Sequence, residues 1–401
     1  MRGQGSKGRS AHPDLKMPPL SPVRVAPDQA APARIGLCMI VKNEAHVIRR
    51  CLDSVLPLID HVFIEDTGST DGTQAVVRAW LAEHGVPGDV VDVPWQDFAF
   101  NRSDALARLR EQRHIDYALV IDADDTLVYP PGFDARACKA SLKDDVIDVD
   151  IAHGAIRYQR PLLLRNGLPF RYRGVLHEYV AIPPEAKGRS TLDGVHMQYN
   201  SGGDRSRDPQ KFHKDAAVLA CALRTETDPF LRSRYTFYLA QSLKDSGQIE
   251  RALAAYQQRA EMGYWEEEVF VALYRAGQLQ ERLGHPAQQV IDTWLRATAA
   301  QPARAEALHA ASRLCRLQKR YEQGYWFAKR GLGPRPPSGL FVESWIYDHG
   351  LLDELAVNAY WSGRYAECRT ACERLLEERQ LPTGMRERVQ ENLRFAIERL
   401  T

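Results

Sequence analysis

The 401-residue sequence contains no run of apolar residues approaching the roughly 20 that a membrane-spanning helix needs. It also lacks net charge: 53 lysines and arginines against 52 aspartates and glutamates leave a formal +1. That balance argues against nucleic-acid binding built on bulk positive charge. Cysteine is sparse, with seven residues scattered along the chain, an odd number that fits free thiols in a reducing cytoplasm better than a disulfide framework. Cys368 and Cys372 stand one helical turn apart without a histidine at zinc-site spacing, which reads as a packed helix face. Residues 1–33 carry arginine, lysine, proline and alanine but no apolar core segment, so a disordered tail is expected there rather than a signal peptide.

What is present is an acidic cluster, Asp122-Ala123-Asp124-Asp125, directly after the apolar run Tyr117-Ala118-Leu119-Val120-Ile121. Such a run reads as a buried strand, and in an extended segment residues i and i+2 point the same way, which would aim Asp122 and Asp124 at one target. Two hard oxygen donors suit Mg²⁺ or Mn²⁺ shared with a phosphate-bearing substrate; a solvated acidic turn is the alternative. Upstream, Arg34 to Glu44 reads as an apolar strand running into a polar corner, and Val47, Ile48, Cys51, Leu52 and Val55 as an amphipathic helix. His61 to Glu65 predicts a second strand, followed by a helix through Val76, Val77 and Leu81 that Asp71 or Thr73 would cap. A third strand is expected near Asp89–Val93. This alternation implies an α/β domain with a mostly parallel, Rossmann-like sheet whose crevice lies at the strands' carboxyl ends, where Val41-Lys42-Asn43-Glu44, Asp66 and Asp122 to Asp124 fall.

The motifs C-M-I-V-K-N-E, D-T-G-S-T-D-G-T, F-A-F-N-R (Phe98 to Arg102) and D-A-D-D resemble those of glycosyltransferase family 2, inverting enzymes of GT-A fold, over Arg34 to Tyr199. The resemblance implies a UDP-sugar donor, UDP-glucose first, with UDP-N-acetylglucosamine and UDP-galactose compatible with the same motifs. It also implies a divalent metal. Val41, Asn43 and Glu44 would border the base and ribose, Asp66 would fix the uracil, and Arg102 would reach the donor as a guanidinium hydrogen-bond donor. Asp122 would contact ribose or sugar and Asp124 the metal. In Gly174-Val175-Leu176-His177-Glu178, Glu178 is the expected general base; the alternative is that His177 and Glu178 only shape the acceptor pocket. His196, in Val195-His196-Met197-Gln198-Tyr199, is a candidate metal ligand, and imidazole favours Mn²⁺ over Mg²⁺. Asp66-Thr67-Gly68-Ser69 also spells an aspartic-protease fingerprint, but there is no second D-T-G, and the strand-helix alternation is foreign to that all-β scaffold.

From Asp208 onward alanine, leucine, arginine and glutamate dominate and strand-like runs disappear, predicting an all-α region. Tyr238-Leu239-Ala240, Leu243, Gly247, Ala252 and Tyr256 resemble a tetratricopeptide (TPR) unit. Gly284, Trp294 and Ala297 resemble another, and Leu355-Ala356, Gly363, Tyr365, Cys368 and Cys372 a third. The expected layout is a tail (1–33), a GT-A domain (34–204) and a TPR-like solenoid (205–401). The solenoid would offer a groove for a peptide or protein, or else a brace or a homodimer interface. Trp265 to Glu268 and Trp345 to Asp353, which break the array's regularity, are expected to face the active site. A cytoplasmic transferase acting on a peptide, protein or saccharide is the reading; a non-catalytic TPR scaffold with a retained nucleotide-sugar-binding fold is the alternative.

Overall fold

The computed structural model describes residues 31–401 except 155, 334–338 and 378–380, so the expected tail falls almost wholly outside the described residues. The first half alternates strand and helix: β1 (Ile35–Val41), α1 (Ile48–Val55), β2 (His61–Asp66), α2 (Thr73–His84), β3 (Gly88–Asp92), α3 (Phe98–Leu109) and β4 (Tyr117–Val120). There follow β5 (Thr126–Val128), α4 (Ala135–Ser141), β6 (Val146–His153), β7 (Ile156–Arg165), β8 (Arg171–Arg173), β9 (Tyr179–Ala181) and β10 (Arg189–Gln198). The main sheet runs β3-β2-β1-β4-β7-β6-β10-β5, with β8 and β9 forming a separate antiparallel ribbon. β1 to β4 are mutually parallel, while β7 lies antiparallel between β4 and β6.

The apolar character of β1 follows from cover on both faces. Leu37, Met39 and Val41 join the larger core with Ile48, Cys51 and Leu52 of α1 and Val77 and Trp80 of α2. Cys38 faces a second core with Ala105, Leu106 and Leu109 of α3. Two local expectations need correction. The N-cap of α2 is Gly72, not Asp71 or Thr73, because the chain enters this helix through a left-handed residue (φ 89°). Asp71 helps from one position earlier, its Oδ1 accepting from Thr73 N at 3.0 Å. More consequentially, β4 ends at Val120 and the acidic cluster is a turn closed by Asp125 N to Asp122 O at 3.1 Å, so the alternation expected to aim Asp122 and Asp124 together does not apply.

The last strand ends at Gln198 and the first helix of the second half begins at Asp204. The helices are α5 (Asp204–Arg207), α6 (Lys211–Thr225), α7 (Pro229–Asp245), α8 (Ile249–Ala260), α9 (Glu266–Arg282) and α10 (Ala287–Ala300). They continue as α11 (Glu306–Leu317), α12 (Tyr321–Gly331), α13 (Leu351–Trp361), α14 (Tyr365–Glu377) and α15 (Thr383–Glu398), with a π-helical turn at Ile346–Gly350. From α6 on, chain neighbours pack on one another, as in a stacked repeat array. The three expected units are α7–α8, α9–α10 and α13–α14, each closed by a glycine with positive φ: Gly247, Gly284 and Gly363. Gly247 follows Asp245, the last residue of α7, and its C-cap Ser246. A further pair, α11–α12, escapes sequence reading because Lys319, not glycine, takes the left-handed turn position. Within α9–α10 the large-to-small fit is tight: Trp294 occupies the space that any side chain at Gly277 would need.

Candidate donor and acceptor site

The carboxyl ends of β1 and β2 form a rigid corner. Asp66 is fully buried; its Oδ1 accepts from Gly68 N (2.9 Å) and Ser69 N (2.6 Å), while its Oδ2 is buried without a partner. An unsatisfied buried acceptor is costly, and a ligand N–H would relieve it. Asn43 sits at φ 57° and braces the same loop: its N donates to Ser69 Oγ and its Oδ1 accepts from Thr70 N, both at 2.8 Å. Val41 packs its side chain into the larger core, and its carbonyl accepts from both N and Oγ1 of Thr67. Those atoms position the corner and are not open to a ligand.

One turn along α3, Arg102 is buried and joins two expected site residues. Its Nη2 donates to Asp122 Oδ1 at 2.5 Å and its Nε to Glu178 Oε1 at 2.7 Å. Burial opposes the Arg102 charge, but Asp122 and Glu178 outweigh it and hold the guanidinium firmly protonated. Burial also pushes the Asp122 carboxyl up, yet Arg102, Arg160 and Arg205 together bring it below the usual aspartate range. Arg102 therefore spends its donors on protein carboxylates, an arrangement that single-residue reading could not anticipate.

Asp124 and Glu44 converge on the segment linking the two halves. Gly203 N donates to Asp124 Oδ2 (2.9 Å) and Asp204 N to Glu44 Oε1 (3.2 Å); a side chain at Gly203 would lie 3.0 Å from the first oxygen and 3.1 Å from the second. Glu44 Oε2 is buried and unpartnered. Burial, with Asp124 adding to it, pushes the Glu44 carboxyl up to about 7. Burial and Asp122 do the same for Asp125, also to about 7, although Asp125 Oδ1 accepts from Asn200 N at 2.9 Å. Crowded, partly desolvated carboxylates with an orphaned oxygen fit a hard divalent cation held by one or two carboxylates and completed by substrate phosphates.

On β10, His196 stands opposite Val128, four residues past Asp124 in the chain. No cluster of three or more metal-ligating side chains occurs among the described residues.

The far side of the site is built by both halves of the chain. The loop Gly174–Glu178 connects β8 to β9 and is clasped by α7: Val175 N donates to Tyr235 Oη (3.1 Å), and Arg234 Nε and Nη2 donate to His177 O at 3.0 and 2.8 Å. Leu176 packs with Leu219, Leu231 and Tyr235. His177, at φ 52°, stacks flat on Tyr238 with ring centroids 3.8 Å apart. Burial, then Arg205, Arg234 and Lys211, lower its pKa to about 3, so it is a neutral packing and positioning group. Glu268 reaches this wall indirectly, pairing with Arg234 at 3.4 Å and with the buried Arg259 at 3.0 Å. The expectation for Trp345 fails: it packs against His309 and His349 beside α11 and α13, farther along the array. Arg160, Arg205 and Arg234 were missed by sequence reading because no motif marks them, and Tyr238 was read only as part of a repeat unit; the meeting of β7, the link segment and α7 assembles them.

Residues 37–160 match the family model described as Glycosyl transferase family 2. The chain is 33% identical over 156 residues to a TPR repeat-containing protein of Synechococcus elongatus, covering 38% of this chain and 36% of that protein. It is 29% identical over 125 residues to an uncharacterized glycosyltransferase of Rickettsia felis, covering 31% and 37%. The chain thus spans little more than a third of the length of these curated relatives. Among solved structures it resembles S. aureus TarS 1–349 in complex with UDP-GlcNAc (15% identity, TM-score 0.31, 67% of this chain and 88% of that one). It also resembles a tetratricopeptide repeat protein from Parabacteroides merdae (15% identity, TM-score 0.35, 47% and 68%). Likenesses this distant carry no functional argument. With the motifs, the parallel sheet and the family match in agreement, the chain carries a glycosyltransferase family 2 domain joined to a TPR-like helical domain.

Proposed function

We propose that the protein is a metal-dependent inverting glycosyltransferase moving a hexose from a UDP-sugar, UDP-glucose first, to a peptide, protein or saccharide acceptor. The observation that carries this reading is the convergence at the ends of β1, β2 and β4. That region carries the orphaned Oδ2 of Asp66, the Asp124–Glu44 pair and the Arg102-bridged Asp122 and Glu178, which supports reading it as one site. Asp66 would accept from the uracil N–H, and Asn43 would hold the loop that carries it. Asp122, fixed by Arg102, would receive ribose or sugar hydroxyls. Asp124, with Glu44 beside it, would hold a divalent cation, which when bound neutralises charge on the departing diphosphate.

Glu178 is the proposed base. Its Oε1 is held by Arg102, while its Oε2 makes no hydrogen bond to a described residue. In the proposed step Oε2 takes the acceptor's proton as the acceptor nucleophile bonds to the anomeric carbon. The bond from that carbon to the phosphate oxygen breaks on the opposite face, and its electron pair leaves with UDP. We place the enzyme in the cytoplasm because its seven cysteines are unpaired. Among the described residues no helix is long and apolar enough to cross a membrane. A screen of UDP-glucose, UDP-N-acetylglucosamine and UDP-galactose for UDP release, with Mg²⁺, with Mn²⁺ and with chelator, tests the proposal. Metal-dependent release from one donor is expected; no release from any of the three would favour the scaffold reading.

A further inference from the structure

The sheet order gives the crevice a direction. The proposed nucleotide corner lies on β1 and β2, Asp122 follows β4, and the next strand outward is β7. β7 runs antiparallel to β4, with Leu119 opposite Leu163, so the residues preceding that pair, Tyr158 to Arg160, reach past the end of β4 to the level of the acidic turn. Arg160 therefore sits on the side away from the nucleotide, where a sugar acceptor would approach. Its guanidinium is half-buried and makes no hydrogen bond or ion pair with any described residue. Burial works against its charge, while Asp122, Tyr172 and Tyr158 favour it and outweigh that effect.

The contrast with its neighbours is informative. Arg102 is paired with Asp122 and Glu178, Arg205 with Asp215, and Arg234 is held by His177 O and Glu268. Arg160 has five N–H donors in a planar fork and no partner for them among the described residues, and it is near enough to Tyr158, Tyr172 and, from the helical domain, Tyr238 to interact with them electrostatically. A desolvated guanidinium without a partner is expensive, and a planar fork matches a phosphate or carboxylate.

We propose that Arg160 is the anion-binding residue of the acceptor subsite, so that the molecule receiving the sugar carries a phosphate or carboxylate close to the nucleophile. The inference deepens the proposed glycosyl transfer and rests on it for the direction of the crevice. The donor's own diphosphate is the other source of the same chemistry, and the test separates the two.

The test is calorimetric, on the full chain with Mg²⁺. UDP is titrated first, and inorganic phosphate is then titrated into the UDP-saturated protein, for the parent, Arg160→Gln and Arg160→Lys. The proposal expects all three to bind UDP within about twofold of one another. It expects phosphate to bind the UDP-saturated parent and to lose about tenfold or more in affinity with Arg160→Gln, the size of one charge-assisted contact. Arg160→Lys, which keeps the charge but not the fork, falls between and guards against misfolding of the glutamine variant. UDP affinity reduced tenfold in both variants would assign Arg160 to the donor diphosphate and overturn the proposal. So would phosphate binding that is absent in the parent or unchanged in both variants. A parent that binds phosphate through Arg160 but not UDP would leave the anion site standing and remove the donor reading instead.

Discussion

Asp66 and Glu178 are the two side chains on which the chemical account turns, and they make separable demands. The unpartnered Oδ2 of Asp66 lies where no protein donor reaches it. Asp66→Ala should weaken UDP binding by about tenfold or more, the cost of one hydrogen bond to a charged group. Glu178→Gln keeps shape and the contact with Arg102 but removes the base. It should lower the rate of sugar transfer by about 10²- to 10⁴-fold with UDP affinity unchanged. Steady-state kinetics beside a UDP titration separates the two: equal loss of binding in both variants would place Glu178 at the donor. Asp66, Asp122, Asp124 and Glu178 were legible as sequence motifs because each closes a strand or a short loop of recognisable pattern. What was not legible is how they connect. Arg102 looked like a donor-site cation, yet two carboxylates from distant segments occupy it. His196 looked like a ligand from its place in the chain order, and pattern alone did not reveal its register on β10, opposite Val128 of β5.

At the scale of elements, the loop Gly174–Glu178 is the joint between the two halves. It belongs to the β8–β9 ribbon but is held by Arg234, Tyr235 and Tyr238 of α7. A chain ending near Asp204 would therefore lose the support of its proposed base along with the repeat array, so point changes are the better probe. Arg234→Ala should reduce transfer by about tenfold or more while leaving UDP affinity near the parent's, because 1 Å of misplacement at a reacting group costs that much or more. Parental kcat in Arg234→Ala would show that the loop holds itself. Strands and helices were readable from apolar period and glycine punctuation, which is why three helical pairs were found. The fourth was missed because Lys319 adopts a conformation its sequence does not advertise. Which helix would meet which loop depended on long-range packing that no local pattern encodes.

For the whole molecule, one buried titratable group outside the proposed donor site, Glu65, sets a pH dependence of stability. Glu65 is fully buried, and burial, with the nearby Asp104 charge adding to it, raises its carboxyl to about 8. The folded state therefore holds that proton after the unfolded chain has released it, and stability falls as pH rises from about 4.5 to about 8. Glu65→Gln should raise Tm by about 2–4 °C or more at pH 9 and leave it unchanged at pH 4, read by thermal melts. A gain of equal size at both pH values would point to packing rather than titration.

The central claim is that the crevice at the ends of β1, β2 and β4 holds a nucleotide diphosphate through Asp66 on one side and a cation at Asp124 on the other. Calorimetric titration of UDP into the parent and into Asp124→Asn, each with Mg²⁺ and with chelator, tests it directly. The account predicts that Mg²⁺ tightens UDP binding to the parent by tenfold or more, and that Asp124→Asn binds UDP weakly and equally in both conditions. UDP binding that ignores both Mg²⁺ and the substitution would contradict it.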